Sequence, residues 1–479
     1  MAMIESINNA INGVVWGIPM MILILGTGIY VGIRNGFPQF THFGHAMKNT
    51  LGKAFTKQEA KEGSVTPFQA MCTALAASIG TGNIAGVSGA IAIGGPGAVF
   101  WMWISALLGM CTKYCEVTLA IRYRERNTAG DWVGGPMYYI KNGLGKNWKW
   151  LSMIFAVLAG LACLGIGCMT QINTIASTIN SAINSIKPTT DSQQTIIALV
   201  VGILVAVVVA FVLLGGISRI GEVCASIVPV MAIVYILMCL IVIVTHLGAI
   251  PAMFAAIFKG AFNPASIAGG LAGATIKTAI TKGVGRGIFS NEAGLGSAPM
   301  AHAAADVDHP TAQGLYGIFE VFMDTIVVCT MTALVVLLGN GVQGIEYGND
   351  IGAQLTINGF NSVLPGSFAS IVVAICLFMF AFSTILSWGL YGQRCWEFIG
   401  GPKLAKVFLV VFCLFVVIGS SVSLSLAWAV ADTLNGLMAI PNLIAILALS
   451  PEVIRLTKDY FGKVKAGDDH PVFDYPEAK

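Results

Sequence analysis

Ser78-Ile79-Gly80-Thr81-Gly82-Asn83 interrupts an apolar segment, residues 67–92, with small and polar residues of poor helix propensity. The segment is long enough to cross a membrane, and free backbone groups at that depth are tolerated only where they line a cavity. We therefore predict a broken membrane helix with a cavity at the break. Close packing of small residues against a neighbouring helix is the competing interpretation, but packing does not require a polar side chain such as that of Asn83.

The whole chain shares this apolar character. Of its 479 residues, 56% are hydrophobic and only 10% are charged, against about 25% charged in soluble domains. This composition is that of a membrane protein. The net charge of +3 is too small and too dispersed for a nucleic-acid partner, and no obligatory protein partner is indicated. All eleven cysteines fall in apolar runs, so we expect neither disulfides nor a cysteine metal site.

Segments of about 20 mostly apolar residues recur along the chain, and each is long enough to span the bilayer. We predict eleven transmembrane helices, the weakest of which is rich in Gly and Thr and contains Lys277. The predicted spans are 11–33, 67–92, 99–121, 150–184, 195–217, 224–249, 267–283, 312–339, 368–392, 405–425 and 427–449.

Lys and Arg are distributed unevenly over the predicted loops. With the amino terminus outside, the cytoplasmic segments hold twenty of them and the outer loops hold two, Lys187 and Lys259. Because cytoplasmic loops carry the excess of basic residues, we predict an outer amino terminus and a cytoplasmic carboxyl terminus. The stretch 285–299, which contains Arg286, is predicted to be a cytoplasmic loop.

The ten spans after the first helix divide into two groups of five, at 67–249 and 267–449. Five is odd, so the groups have opposite topology, as in the inverted repeats of many secondary transporters. Residues 1–66 then form an extra transmembrane helix at the periphery and a cytoplasmic loop. Residues 450–479 form a polar cytoplasmic tail, of which 457–479 is predicted to be mobile. The predicted fold is an all-α polytopic membrane protein with a five-plus-five inverted repeat and two broken helices.

A second glycine-rich interruption, at 269–275, opens the second group. Interrupted spans in matching positions of two halves indicate a binding site near the membrane midplane. At the first break, the amides of Thr81 and Gly82 would face a carboxylate, with the positive end of the helix dipole behind them. For Gln171, an interhelical hydrogen bond is equally consistent with the sequence. The other predicted substrate-binding residues are Asn83, Gln171, Gly270, Gly273, Thr275 and Trp388.

Oxygen atoms from two helices form a candidate cation site. The carbonyls freed at Ala76 and Ile79 suit a hard cation such as sodium, which prefers oxygen ligands. The carbonyl of Phe380 and the hydroxyls of Ser383 and Thr384 would complete the shell. Because Ser and Thr in membrane helices often bond to their own backbone, that role is the competing interpretation for both hydroxyls.

Two carboxylates, Glu320 and Asp324, lie four residues apart and therefore on one face of the span 312–339. Intramembrane carboxylates are functional candidates by default, and these two support an alternative in which a proton replaces sodium. Carboxylates that are simply hydrogen-bonded between helices are the other interpretation. Lys113 and Glu116, one turn apart, are interpreted as a local ion pair with no role in the site.

Two motifs resemble the alanine or glycine:cation symporter family. They are GGPGAVFWMWISALLG at 94–109 and GRGIFSNEAGLGSAP at 285–299, and the resemblance covers nearly the whole chain apart from the polar tail. The family is related to amino acid transporters with the five-plus-five repeat. The resemblance implies that Gly80–Asn83 hold the substrate carboxylate. It also implies one sodium site, formed by Ala76, Ile79, Phe380, Ser383 and Thr384.

The function implied is sodium-driven import of alanine or glycine through a prokaryotic plasma membrane. The alternative is a proton-coupled amino acid symporter in which Glu320 or Asp324 carries the proton. No cofactor is expected beyond the coupling ion. The sequence lacks a phosphate-binding loop of the G-x-x-x-x-G-K-[ST] kind, so ATP drive is not indicated. An enzyme is not indicated, because no catalytic pair converges in the spans. A channel is disfavoured, because broken helices at a midplane site suit alternating access.

Overall fold

The computed structural model describes residues 2–53, 60–263, 275–364, 367–421 and 425–474, and this part of the chain is dominated by helices. In the first half, the α-helices are α1 (Ala2–Val15), α2 (Ile18–Asn35), α3 (Pro38–Thr41), α4 (Phe43–Thr50), α5 (Pro67–Ser78), α6 (Val87–Gly94), α7 (Gly97–Arg122), α8 (Pro136–Tyr139), α9 (Lys149–Leu164), α10 (Thr170–Ile186), α11 (Asp191–Leu213), α12 (Gly216–Thr245) and α13 (Ile250–Phe262).

The second half continues the helical architecture. Its α-helices are α14 (Ile276–Asn291), α15 (Pro299–His302), α16 (Pro310–Val321), α17 (Thr330–Gly339), α18 (Ala353–Asn361), α19 (Phe368–Ser421) and α20 (Ser425–Lys465). Wider π-helical turns occur at Gly82–Gly86, Ile140–Leu144, Gly165–Met169 and Phe322–Cys329. Short 3-10 turns occur at Leu51–Lys53, Lys146–Trp148, Leu247–Ala249 and Val342–Gly344. One antiparallel ribbon pairs β1 (Glu125–Arg126) with β2 (Trp132–Val133), in the register Glu125↔Val133.

The first broken helix is confirmed. Thr66 caps α5 through a capping box with Gln69, and the helix ends at Ser78 because Ile79 has non-helical dihedrals (φ −77°, ψ 89°). The chain resumes helical geometry at Gly82, and the two halves are bent by 50°.

The architecture is that of a polytopic membrane protein. Eight described helices are long and apolar enough to cross a membrane, and the bent pair of α5 and α6 makes up to nine. The 54-residue α19 contains a kink at Gly400 and Gly401 (φ 75° at the latter), so it combines two of the predicted spans. The count of eleven spans and the repeat boundaries 67–249 and 267–449 stay predictions.

Buried helices surround the first break. α7 is the most buried of the membrane-length helices and packs against α14 and α16. α19 packs against α9, α10 and α11, while α5 lies against both α12 and α19. Outer helices expose large apolar side chains, for example Ile22, Val207 and Leu237, which suits a face that contacts lipid.

The predicted second interruption, 269–275, is described only at Thr275. Its residues Gly270 and Gly273 lie outside the described residues. The described helix α14 ends at Asn291, and Glu292 adopts a left-handed conformation (φ 55°) before α15 begins. The predicted cytoplasmic loop 285–299 is therefore wrong. Its amino-terminal part is helical and 287–299 is almost wholly buried, because the small residues of this stretch allow close contact with neighbouring helices.

The prediction of a mobile end at 457–479 is wrong as far as Phe473, and residues 475–479 lie outside the described residues. Helix α20 continues to Lys465. Beyond it, Phe473 is only 6% exposed, its amide donates to the Asp308 carbonyl (2.9 Å), and its ring lies 5.5 Å from that of His309. An aromatic side chain near the end of a polar segment therefore anchors it to the loop before α16.

Candidate functional site

The first break frees a backbone carbonyl that a continuous helix would use. In a continuous helix the Gly80 amide would donate to the Ala76 carbonyl. Here it donates to Asn83 Oδ1 at 2.8 Å. The Ala76 carbonyl instead lies 2.9 Å from Thr384 Oγ1, on a different helix. The break thus exchanges a local hydrogen bond for one that joins α5 to α19.

Four of the five predicted cation ligands lie together. Ser383 Oγ is 2.9 Å from the Phe380 carbonyl and 3.5 Å from that of Ala76. Thr384 Oγ1 is 2.9 Å from the Phe380 carbonyl as well. The fifth predicted ligand, Ile79, is the buried non-helical residue at the end of α5.

This cluster consists of uncharged oxygen atoms of buried residues. Both hydroxyls bond to their own helix, as the competing interpretation requires, but both also approach the opposite helix. A Cβ added at Gly80 would lie 2.7 Å from Thr384 Oγ1, so only glycine lets the broken segment approach this closely. Two carbonyl oxygens and two hydroxyl oxygens are ligands of the kind that a hard cation prefers.

The interruption between α14 and α15, residues 292–298, is named the second break here, and it contains a functional candidate that sequence reasoning missed. Glu292 is buried, and its Oε1 accepts a hydrogen bond from Trp388 Nε1 at 3.1 Å, while its Oε2 accepts from Ser297 Oγ. A strongly acidic residue inside a glycine-rich apolar motif was the available signal. Trp388, a predicted substrate-binding residue, therefore connects α19 to the second break.

Gln171 has an unused acceptor. Its Nε2 donates to the Ile166 carbonyl (3.0 Å), whereas its buried Oε1 has no hydrogen-bond partner among the described residues. It follows the π-helical turn Gly165–Met169, where a Cβ on Gly167 would lie 2.2 Å from Trp388 Cβ. An unpaired buried acceptor is costly, and a donor such as an ammonium group would satisfy it.

Asn83 supports the break from inside. Its Oδ1 accepts from the Gly80 amide and its Nδ2 donates to Asp324 Oδ1 at 2.6 Å, so both ends of the side chain are engaged. Asp324 also accepts hydrogen bonds from Ser290 Oγ (3.0 Å) and Thr325 Oγ1 (2.6 Å). Asp324 therefore joins the first break to the end of α14 through uncharged donors.

Glu320 lies in a different electrostatic environment. Its carboxylate is 3.1 Å from Lys113 Nζ, 3.0 Å from His302 Nε2 and 2.9 Å from Ser78 Oγ, and all four side chains are buried. The predicted ion pair between Lys113 and Glu116 is therefore replaced by one between Lys113 and Glu320, because the folded helices bring Glu320 to the ammonium. Glu320 also joins the two broken helices, since Ser78 ends α5 and His302 ends α15.

Glu116 binds the second break directly. Its Oε1 accepts from the Gly294 amide at 3.1 Å and from Asn442 Nδ2. Asn442 Nδ2 also lies 2.9 Å from the Gly294 carbonyl. The sequence analysis assigned no role to Glu116 or Asn442.

The remaining predicted residues separate into two groups. Thr81 and Gly82 lie at the start of the second half of the broken helix, and Phe289 covers Gly82, with its Cδ1 3.3 Å from where a Cβ would be. Thr275 is the exposed N-cap of α14, whose other end carries Ser290. A 15-residue separation along a helix is about 22 Å, so the structure does not bring Thr275 to this site. The other two residues predicted from the 269–275 interruption, Gly270 and Gly273, lie outside the described residues.

Comparisons with known proteins agree with this architecture. The model of the sodium:alanine symporter family matches residues 1–475. The sodium/alanine symporter AgcS of Methanococcus maripaludis is 45% identical over 460 residues, which cover 95% of this chain and 97% of that protein. The amino-acid carrier protein AlsT of Bacillus subtilis is 39% identical over 470 residues, covering 98% and 94%. The crystal structure of MhsT with L-phenylalanine superposes with a TM-score of 0.56 at 12% identity, covering 83% of this chain and 99% of that one, and this likeness concerns the fold alone.

Proposed function

Because the chain belongs to the sodium:alanine symporter family, a family of transporters and not of enzymes, we propose that it imports alanine or glycine together with sodium by alternating access. The observation that carries the proposal is the meeting of α5 and α19 at the first break. There, carbonyls of Ala76 and Phe380 and hydroxyls of Ser383 and Thr384 form an uncharged oxygen cluster. Sodium is the cation we assign to it, with Ile79 as the fifth ligand.

The amino acid is proposed to bind between the two breaks. Its carboxylate would accept from the amides of Thr81 and Gly82, which begin a half-helix whose dipole favours an anion. Its ammonium group would donate to the unpaired Oε1 of Gln171. Trp388 would limit the size of the side chain. Gly270 and Gly273 keep their proposed place in the pocket, although they lie outside the described residues.

Coupling between ion and substrate would pass through α19. Sodium would draw together Thr384 and the first break, and Trp388, one turn later, contacts Glu292 in the second break. An ion bound at the first break would therefore favour the arrangement in which both breaks face the substrate.

A proton-coupled mechanism is the second candidate, and one observation favours Asp324 over Glu320 as its carrier. Glu320 has a cationic partner, Lys113, whereas the partners of Asp324 among the described residues are uncharged. A buried carboxylate without a countercharge requires either a bound cation or a proton.

The first experiment separates the two couplings. Purified protein in liposomes should take up labelled alanine under an inward sodium gradient, with a protonophore present to remove any pH difference. Uptake driven by a proton gradient in sodium-free buffer would contradict sodium coupling and would support the Asp324 alternative.

A variant then tests the proposed ligands. Ser383→Ala combined with Thr384→Val removes two oxygens and should raise the sodium concentration for half-maximal uptake by about tenfold, which corresponds to about 1.4 kcal/mol. Ser420→Ala is the matched control, since its buried hydroxyl bonds to the Val417 carbonyl of its own helix (2.7 Å). Equal sodium dependence in the folded double variant and in this control would mean that the hydroxyls serve packing only.

The orientation is also a proposal. The excess of Lys and Arg in one set of loops supports an outer amino terminus, a cytoplasmic carboxyl terminus and a prokaryotic plasma membrane. Asn358, in α18, and Lys146, in a 3-10 turn, are both exposed and are assigned to opposite sides of the membrane. In intact cells, a cysteine at Asn358 should react with an impermeant thiol reagent and one at Lys146 should not, and the reverse pattern would invert the topology.

A further inference from the structure

A separate cavity of about 320 Å³ lies between α1, α14 and α20. Phe289 forms part of its wall, and the same ring covers Gly82 of the first break. The next residue, Ser290, donates to Asp324 in the central site. Phe289 therefore lies between this cavity, which we name the vestibule, and Gly82 of the first break. The principal lining residues of the vestibule are Asn12, Trp16, Lys282, Arg286, Phe289 and Asp432.

The vestibule contains a cation that has no ionic partner. The guanidinium of Arg286 lies 5.5 Å from the centre of the Phe289 ring, and no carboxylate of the described residues lies within 4.0 Å of it. Lys282, one turn earlier on α14, also has no such partner among the described residues. A guanidinium beside an aromatic ring keeps planar N–H groups available, and these match a carboxylate in a bidentate geometry.

The opposite charge is present in the same cavity. Asp432 Oδ2 accepts from Asn12 Nδ2 (3.1 Å), whereas Oδ1 has no hydrogen-bond partner among the described residues. Trp16 Nε1 donates to the Asp432 backbone carbonyl (3.0 Å), which fixes α1 against α20 at this point. The carboxylate is thus held in the cavity with one oxygen available for a cationic group.

We propose that the vestibule is a second binding site for a zwitterionic α-amino acid. The amino acid binds there before it passes Phe289 and enters the central pocket. Arg286 binds the carboxylate of the ligand, with Lys282 adding positive potential, and Asp432 binds its ammonium group. The identity of the ligand rests on the proposed function, whereas the site itself rests on the charges of the cavity. The side chain of the amino acid makes no required contact here, so selection by size belongs to the central pocket.

The test compares Arg286→Gln with Arg219→Gln. Arg219 is a matched control, because its exposed guanidinium also lies beside an aromatic ring, that of Phe211 (4.7 Å), and does not line the vestibule. R286Q should raise the KM for alanine uptake about tenfold, with the maximal rate and the sodium dependence unchanged, because a charge-assisted contact is lost outside the central pocket. R219Q should match the wild type, and R286K should fall between, since it restores the charge but not the bidentate geometry. An unchanged KM in R286Q would overturn the inference.

A double variant distinguishes a binding site from a gate. Asp432→Asn should also raise KM, and R286Q combined with D432N should multiply the two effects, because each side chain binds a different group of the ligand. If Arg286 and Asp432 only close on each other, the double variant would be no worse than either single one, and the inference would fail.

Equilibrium binding of labelled alanine to the purified protein gives a result that does not need transport. Wild type and R219Q should show a tight and a weaker component, and R286Q should lose the weaker one. The same single component in all three proteins would exclude the vestibule site. Absence of sodium-driven uptake in wild type with both components retained would instead contradict the proposed function and leave the vestibule supported.

Discussion

Glu320 and Asp324 are one turn apart in the same buried region, yet their surroundings differ in kind. Glu320 contacts the ammonium of Lys113 and the ring of His302. Asp324 accepts hydrogen bonds from Asn83, Ser290 and Thr325, which are all uncharged. Each carboxylate bonds to residues of both broken helices. Only Glu320 has a cationic partner among the described residues.

This difference in charge compensation indicates different roles for the two carboxylates, one in stability and one in transport. A buried carboxylate beside its own ammonium group has its charge balanced by the protein, and removal of either partner leaves the other charge uncompensated. A carboxylate surrounded by neutral donors leaves the balancing charge to a mobile ion. We therefore infer that Glu320 stabilises the contact between the breaks, whereas Asp324 is the carboxylate that responds to ions.

The largest expected effect comes from Lys113→Met. It leaves the buried Glu320 without its ammonium partner and should lower the free energy of unfolding by about 3–5 kcal/mol. Lys141→Met is the control, since the Lys141–Glu125 pair is partly exposed and such a pair contributes about 0–1 kcal/mol. Denaturant titration of the two variants in detergent measures the difference, and similar losses would remove the distinction between a buried and an exposed pair.

Asp324→Asn should have a smaller effect on stability. The amide keeps an acceptor for Asn83 and Ser290, and the Thr325 hydroxyl can accept a hydrogen bond from the new NH₂ group, so we expect a loss of about 1 kcal/mol. Sodium-driven uptake in D324N should keep the pH profile of the wild type. A profile that becomes flat only in D324N would assign proton transfer to this carboxylate and weaken the sodium-only mechanism.

A third comparison concerns single hydroxyl donors to the two carboxylates. Ser290→Ala removes one of the neutral donors of Asp324 and should cost about 2 kcal/mol, because hydrogen bonds to charged groups contribute more than neutral ones. Ser78→Ala removes a donor from Glu320, which keeps Lys113 and His302, so about 1 kcal/mol is expected. Thermal unfolding monitored by intrinsic fluorescence would rank the two, and the opposite order would contradict the comparison.

The first break was predictable because its cause is local. Gly80, Thr81 and Gly82 are poor helix residues inside an apolar segment, and the structure breaks there. The meeting of Ala76 with Thr384 was expected from the family resemblance, and the structure places them in contact. Their proposed roles as ligands stay predictions.

The interruption after Asn291 was not predicted, because glycine content alone does not decide where a helix ends. The burial of 287–299 depends on contacts with other helices, and the predicted interruption at 269–275 lies outside the described residues except for Thr275. The same limit applies to Glu292 and Asn442, whose partners are distant in the sequence. Arg286 was assigned to a loop because a single charge suggests a membrane boundary, whereas a cavity within the helix bundle accommodates it.

Trp388 follows Thr384 by one turn of α19, and this short spacing has a thermodynamic consequence. In the proposed mechanism, one rigid helix contacts both the ion ligands and the second break. Linkage is reciprocal, so whatever factor sodium adds to the affinity for alanine, alanine must add to the affinity for sodium. In this mechanism the sodium gradient sets the direction of transport. The four-residue segment of α19 from Thr384 to Trp388 determines the coupling free energy between sodium binding and alanine binding.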